Sequence, residues 1–393
     1  MRKQRVAQEE ILMAKIVRES KIVMLLAAAL FVVPVGSVLG DSGPAHQIDQ
    51  PFPIAMGTSG GNINDRTRAF CYGGTLGALV EDRGGAQYIL SNNHVLARTN
   101  LASPGEDIIQ PGLIDQSPAC AQDKTDAVAD LFDFVPIMFK GKKAAPTNTV
   151  DAAIAQVKMN AVKSNGEILD IGRISNLTLE PALGLAVKKS GRTTGLTRGT
   201  ISALDVTVDV SYDSRKTARF VHQVLVTPGS FIDSGDSGSL MVEDAYGTPR
   251  AVGLLFAGSN SVAIANPIDA VLNSFSGITM VGAPSTSLTN MISHWAKNLF
   301  RISESHAAST QLPPQVNSVA VDAVRKVKEK HEAKLLSVPG VVGVGIGHSE
   351  KTLGQAAIEV YVKESASALR SQLPTSLEGV EVKVIETGEI QAY

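Results

Sequence analysis

The chain has 393 residues, room for two or three domains, and its 44% hydrophobic content with 35 glycines suits a globular protein rich in strands and turns. Its 36 basic and 38 acidic side chains are spread along the sequence for a formal net charge of −2, so there is no basic footprint for DNA or RNA and no nucleic-acid partner is expected. Two cysteines and seven scattered histidines offer no metal-ligand spacing, and neither a metal nor another cofactor is expected.

Residues 1–40 read as an address and not as fold. Arg2, Lys3, Arg5, Lys15, Arg18 and Lys21 precede an uninterrupted apolar run from Ile22 to Val33, followed by Pro34 and small residues up to Gly40. That is the layout of a secretory signal cut near Gly40-Asp41, with export from the cell or to the periplasm. Retention as a membrane anchor is the alternative, although twelve apolar residues are short for a span of about 20.

Beyond residue 40, short apolar runs bounded by glycine, proline, asparagine or aspartate predict antiparallel strands, among them Ala69-Phe70-Cys71, Tyr88-Ile89-Leu90, Ile154-Ala155-Gln156-Val157 and Val206–Val210. Gly57-Thr58-Ser59-Gly60-Gly61 sets a serine among glycines but precedes every suitable histidine, and Ser59 reads as a turn residue. His94, in Ser91-Asn92-Asn93-His94-Val95-Leu96, falls just beyond a strand end. Cys71 and Cys120 straddle it; in an oxidising compartment they are compatible with one disulfide, reduced and buried thiols being the alternative. Asp126 and Asp130 lie in and after the polar stretch Gln122–Asp126, read as loop or helix start, whereas Asp151 opens the apolar segment Val150–Ala155. Ser239–Val242 and Arg250–Phe256 flank a turn at Tyr246-Gly247-Thr248-Pro249 and read as a hairpin. Leu288, Met291, Ile292, Trp295 and Leu299 share helical spacing over 286–300, and 301–317 reads as a linker. A last segment, 318–393, predicts a helix over 319–336, strands at Gly340–Gly347, Ala357–Val362 and Val380–Ile385, and a short helix at 365–373, a small α+β unit of unknown role. Its Gly343-Val344-Gly345-Ile346-Gly347 run lacks the flanking helix of a dinucleotide loop, so its glycines point to close backbone approach.

The chemistry centres on Ser234-Gly235-Asp236-Ser237-Gly238-Ser239. A serine hydroxyl is a weak nucleophile until a neighbouring base removes its proton, and that base needs a third group to fix its orientation. His94, Asp151 and Ser237 supply these roles in the order His-Asp-Ser, separated by 57 and 86 residues. With the block Lys189-Ser190-Gly191-Arg192-Thr193-Thr194-Gly195 running on to Gly199-Thr200-Ile201, residues 50–300 resemble the trypsin-like (chymotrypsin-fold) serine peptidases of the bacterial secreted type. That block is similar to α-lytic and streptogrisin-type peptidases, and Leu90–Val95 also resembles the narrow-leaf-type trypsin-like proteins. Many relatives carry a third glycine where this chain has Ser239, which implies altered packing and not lost chemistry.

The resemblance implies a mainly β fold of two antiparallel six-stranded barrels with a terminal helix over residues 41–300, the barrels meeting near 165–185, followed by the linker and the C-terminal α+β domain. It makes His94, Asp151 and Ser237 catalytic, puts the oxyanion hole at the amides of Gly235 and Ser237, and gives Asp236 an architectural role. By family spacing Phe231 sits at the base of the primary specificity pocket, with Ile232, Phe256 and Gly258 near its walls, so uncharged or apolar side chains are expected before the cut. The expected protein is a secreted, monomeric serine endopeptidase acting on proteins or peptides, with no membrane partner unless the N-terminal segment is retained. A non-cleaving binding or scaffold protein on the same fold is the alternative, and an esterase would use the same residues.

Overall fold

The computed structural model describes residues 45–141, 146–213, 216–284, 316, 318–364 and 366–393. The signal-like segment, the helix expected over 286–300 and nearly all of the 301–317 linker lie outside the described residues. The first barrel is built from β1 (Thr58–Asn62), β2 (Gly74–Leu76), β3 (Ala78–Glu81), β4 (Gln87–Ser91), β5 (Asp107–Ile109), β6 (Ala127–Phe134) and β7 (Ala153–Val157), with a one-turn helix α1 (Asn93–Leu96) after β4. They run β3-β4-β7-β6-β5-β1-β2, and β2 and β3 are one strand bent at Gly77, so the ring closes on six strands. No side chain fits at that bend, because a Cβ on Gly77 would stand 1.8 Å from the carbonyl oxygen of Gly238.

Three local readings change. Ser59 is not in a turn but inside β1, fully buried, its hydroxyl donating to Asp115 at 2.5 Å. The glycine beside it serves close packing, for a Cβ on Gly60 would run into the Leu76 side chain. Ala69-Phe70-Cys71 is not a strand: the Thr67 hydroxyl accepts from the amides of Ala69 and Phe70 and bends the chain, which leaves Phe70 exposed and only Cys71 bridged, to Arg66. Asp130, expected in a loop or helix start, lies in β6 and pairs with Lys158 at 2.6 Å.

The second barrel is built from β8 (Ala186–Gly191), β9 (Gly195–Asp213), β10 (Lys216–Thr227), β11 (Leu240–Glu243), β12 (Ala251–Gly258) and β13 (Ala263–Pro267), with the short helix α2 (Ile268–Asn273) following. Its strands close as β8-β11-β12-β13-β10-β9 and back to β8, every pairing antiparallel. The fold is therefore mainly β and chymotrypsin-like, with an added α+β part. Phe231, Ile232, Val226, Leu255 and Met241 fill the interior of the second barrel.

β9 and β10 are long enough to continue past their barrel as a two-stranded arm. The C-terminal segment, α3 (Ser318–Leu336), β14 (Val341–His348), β15 (Ala356–Val362), α4 (Ala366–Leu369), β16 (Val380–Glu386) and β17 (Gln391–Ala392), builds onto this arm. β14 pairs antiparallel with β9 from Ala203↔Gly347 to Val208↔Gly343, so one sheet runs through both, and the described residues belong to one compact unit. The glycines of β14 admit their neighbours: a Cβ on Gly345 would lie 2.8 Å from the Tyr361 hydroxyl. α3 lays Val321, Val324 and Leu335 on Val344, Ile346, Ile358 and Val360, all buried, each such side chain contributing about 1.5–3 kcal/mol. Among the described residues no helix is long and apolar enough to cross a membrane.

Candidate active site

The first barrel positions an imidazole and a carboxylate. α1 leaves β4 at the Asn-Asn pair: Asn92 donates to the Asp151 carbonyl (2.8 Å), and Asn93 donates to the Val135 carbonyl (2.7 Å) and to Asn100 Oδ1 (2.8 Å). These bonds tie the start of α1 to the segments leading into β7. Asp151, fully buried, accepts from His94 Nδ1 at 2.6 Å, from the Tyr212 hydroxyl at 2.7 Å and from the His94 amide at 3.3 Å, while its own amide donates to Asn266. A buried carboxylate needs such donors, having no proton of its own to give. Burial opposes charge on His94, yet the charge of Asp151 and its hydrogen bond win and hold the imidazole above its ordinary value, helped by the main chain of Tyr393 and by Asp65. Burial pushes Asp65 itself up to about 6, against the pull of His94 and Arg98. Burial and the Asp151 charge push the Tyr212 phenol well above its ordinary range, so it serves as a donor.

The second barrel positions the serine. Ser237 lies on the loop between the tight turn Gly229–Phe231 and β11, where Gly235 (φ +96°) and Gly238 (φ +91°) take backbone conformations that favour glycine. Asp236 organises this loop from beneath: it accepts from the amides of Thr193, Thr194 and Asp233 and from the Thr194 hydroxyl, and pairs with the wholly buried Lys189 at 3.2 Å. Burial lowers the Lys189 ammonium, with Asp236 opposing. The Lys189–Gly195 block is thus a clamp on the serine loop, and Arg192 extends it with two 2.6 Å bonds to Asp115 in the first barrel. The Ser239 hydroxyl is absorbed locally, donating to the Asp236 carbonyl at 2.5 Å. The amides of Gly235 and Ser237 donate to no protein oxygen among the described residues.

The two halves meet around one further residue. The Ser237 hydroxyl donates to the carbonyl of Phe256 (3.1 Å), the Tyr393 amide approaches the same carbonyl (3.4 Å), and the main-chain oxygen of Tyr393 stands 3.0 Å from His94 Nε2. The structure thus brings His94 and Asp151 together; no hydrogen bond joins His94 to Ser237 among the described residues, the serine hydroxyl turning instead to the Phe256 carbonyl, which Tyr393 also approaches. Of the expected pocket residues, Ile232 and Gly258 border the Tyr393 ring, and Phe231 lies wholly buried in the barrel interior beneath. Phe256 takes part through its carbonyl; its ring turns away onto Phe220, 4.7 Å between centroids. Cys71 and Cys120 are disulfide-bonded. Tyr212, Asp65 and Tyr393 escaped sequence reasoning, since no local motif marks them.

A family model, the Nal1 C-terminal domain, matches residues 141–266, a span that holds Asp151 and Ser237 but not His94. No curated protein matches the chain. Among solved structures, it is similar to a glutamic acid specific serine protease at 20% identity, covering 58% of this chain and 100% of that one with a TM-score of 0.39. It is also similar to Thermobifida fusca protease A (16% identity, 58% and 99% covered, TM-score 0.39) and to Cellulomonas bogoriensis chymotrypsin (16% identity, 58% and 99% covered, TM-score 0.37).

Proposed function

We propose that this protein is a serine endopeptidase of the trypsin-like bacterial secreted type, cutting peptide bonds through an acyl-enzyme. The observation that carries this reading is the 2.6 Å His94–Asp151 bond in a chain whose Ser237 loop offers two amides without protein acceptors among the described residues. Ser237 Oγ forms a bond to the peptide carbonyl carbon as its proton passes to His94 Nε2, and the resulting oxyanion takes the amides of Gly235 and Ser237. The carbon–nitrogen bond then breaks, His94 returning the proton to the departing amine. Water repeats the sequence and frees the acid. Asp151, braced by Tyr212, fixes the imidazole and balances its positive charge.

Protein or peptide substrates and a monomeric state go with this reading. The Cys71–Cys120 bridge supports an oxidising compartment, in line with the signal-like start of the chain. A fluorophosphonate should label Ser237 and leave Ser237→Ala unmodified, and casein should be turned over by the form it labels. Labelling absent from every form would favour a binding protein on a peptidase fold, and ester turnover without casein turnover would favour an esterase.

A further inference from the structure

The groove beside Ser237 is filled by the chain itself. β17 pairs antiparallel with the end of β12, Gln391 opposite Gly258 and Ala392 opposite Ala257. Tyr393 follows in register, with its amide toward the Phe256 carbonyl, its main-chain oxygen at His94 Nε2, and its half-buried ring against the cluster that contains Phe231 and Ile232. A Cβ on Gly258 would stand 3.0 Å from Tyr393 Cε2 and 2.9 Å from Ile232 Cγ2, so the missing side chain makes room for the ring. The acyl half of a cleaved peptide lies this way: strand pairing sets its register, a pocket takes its side chain, and a main-chain oxygen faces the imidazole. The tail is anchored just upstream, where Ile390 is buried and its carbonyl accepts from the Ser211 amide at 2.9 Å.

Building on the reading of Ser237 as nucleophile, we propose that residues 391–393 are a built-in ligand of the substrate groove. The enzyme accordingly accepts an aromatic side chain, tyrosine first, before the cut, and stays closed to substrate until the tail leaves. Occupation blocks catalysis twice. It covers the place where a substrate carbonyl would sit, and it sets an acceptor on each ring nitrogen of His94, an arrangement that only the charged imidazole satisfies and in which it takes no further proton.

Two variants test this, deletion of 391–393 and Tyr393→Asp, the second placing a carboxylate near Asp233; circular dichroism checks that both keep their β content. Fluorophosphonate labelling of Ser237 should run at least about tenfold faster in both than in the full chain, since a tethered ligand acts at roughly millimolar effective concentration. A fluorescein-tagged Ile-Gln-Ala-Tyr peptide should bind the deletion variant, with unlabelled peptide displacing it and Ile-Gln-Ala-Lys failing to do so. Equal labelling rates in a protein whose serine does react, no peptide binding, or equal binding of the lysine peptide overturns the proposal. If Ser237 reacts in no form, peptide binding alone decides the groove's ligand, and the peptidase reading fails separately.

Discussion

The two barrels contribute to one site in unlike ways. In the first, His94 and Asp151 form a finished pair, steadied by Asn92 and Asn93 from the same short turn. In the second, Ser237 rides a glycine-hinged loop that depends on a buried ion pair, Lys189 with Asp236, and on the threonines that follow the lysine. Each barrel also completes the other. Tyr212 reaches from β9 to Asp151, and the Thr75 amide in β2 donates to the Ser237 carbonyl at 2.8 Å. The His94–Asp151 pair is therefore secured by its own hydrogen bonds, while Ser237 rests on buried charge, and the halves should fail differently.

The largest effects come from the reacting groups themselves, measured in the variant without 391–393. Ser237→Ala or His94→Ala should lower kcat by about 10⁶-fold and Asp151→Asn by about 10⁴-fold, as in measured triads; peptide turnover near that of the trimmed parent chain in any of them breaks the assignment. Lys189→Met comes next, because it strands the Asp236 charge in the interior. It should cost about 3–5 kcal/mol of stability, read from the urea midpoint, whereas an unchanged midpoint would mean the serine loop does not rest on that pair. Tyr212→Phe removes one hydrogen bond to a charged group and should lower kcat/KM roughly 10- to 100-fold with the fold intact. No change there would show that the first barrel holds its pair unaided.

The smallest effect is a shift in pH dependence. His94 is held above its ordinary value of 6.5, and only its neutral form accepts the serine proton, so the rate should fall on the acid side at a pH above 6.5. For stability the sign is opposite: a raised imidazole contributes fully below pH 6.5, and the contribution fades as pH rises through the folded-state value. Cutting away 391–393 removes one acceptor from Nε2, so the acid limb should move to lower pH than in the full chain. A limb that stays put would indicate that Asp151 and Asp65 alone set the imidazole.

Local pattern marked the apolar runs and turns around His94, Asp151 and Ser237, and the family resemblance those residues carry implied the two barrels that the strands form. Contacts between distant segments left no such trace. Tyr212 is 61 residues from Asp151 and Tyr393 is 299 from His94, and neither lies in a motif. Ser59 was ambiguous because glycine serves both turns and close packing, and only the Leu76 side chain facing Gly60 decides which. Family spacing led to Phe256 but not to the direction of its ring, which packing on Phe220 sets. The C-terminal strands were legible as segments, whereas their register with β9, more than a hundred residues earlier, was not.

That register bears on how the protein can be dissected. Stripping away everything after residue 317 would expose the backbone donors and acceptors of Ala203–Val208 along an open strand edge, a ready template for stacking with other copies. Loss of turnover in so short a chain would then report clumping, and trimming only the last three residues is the cleaner cut.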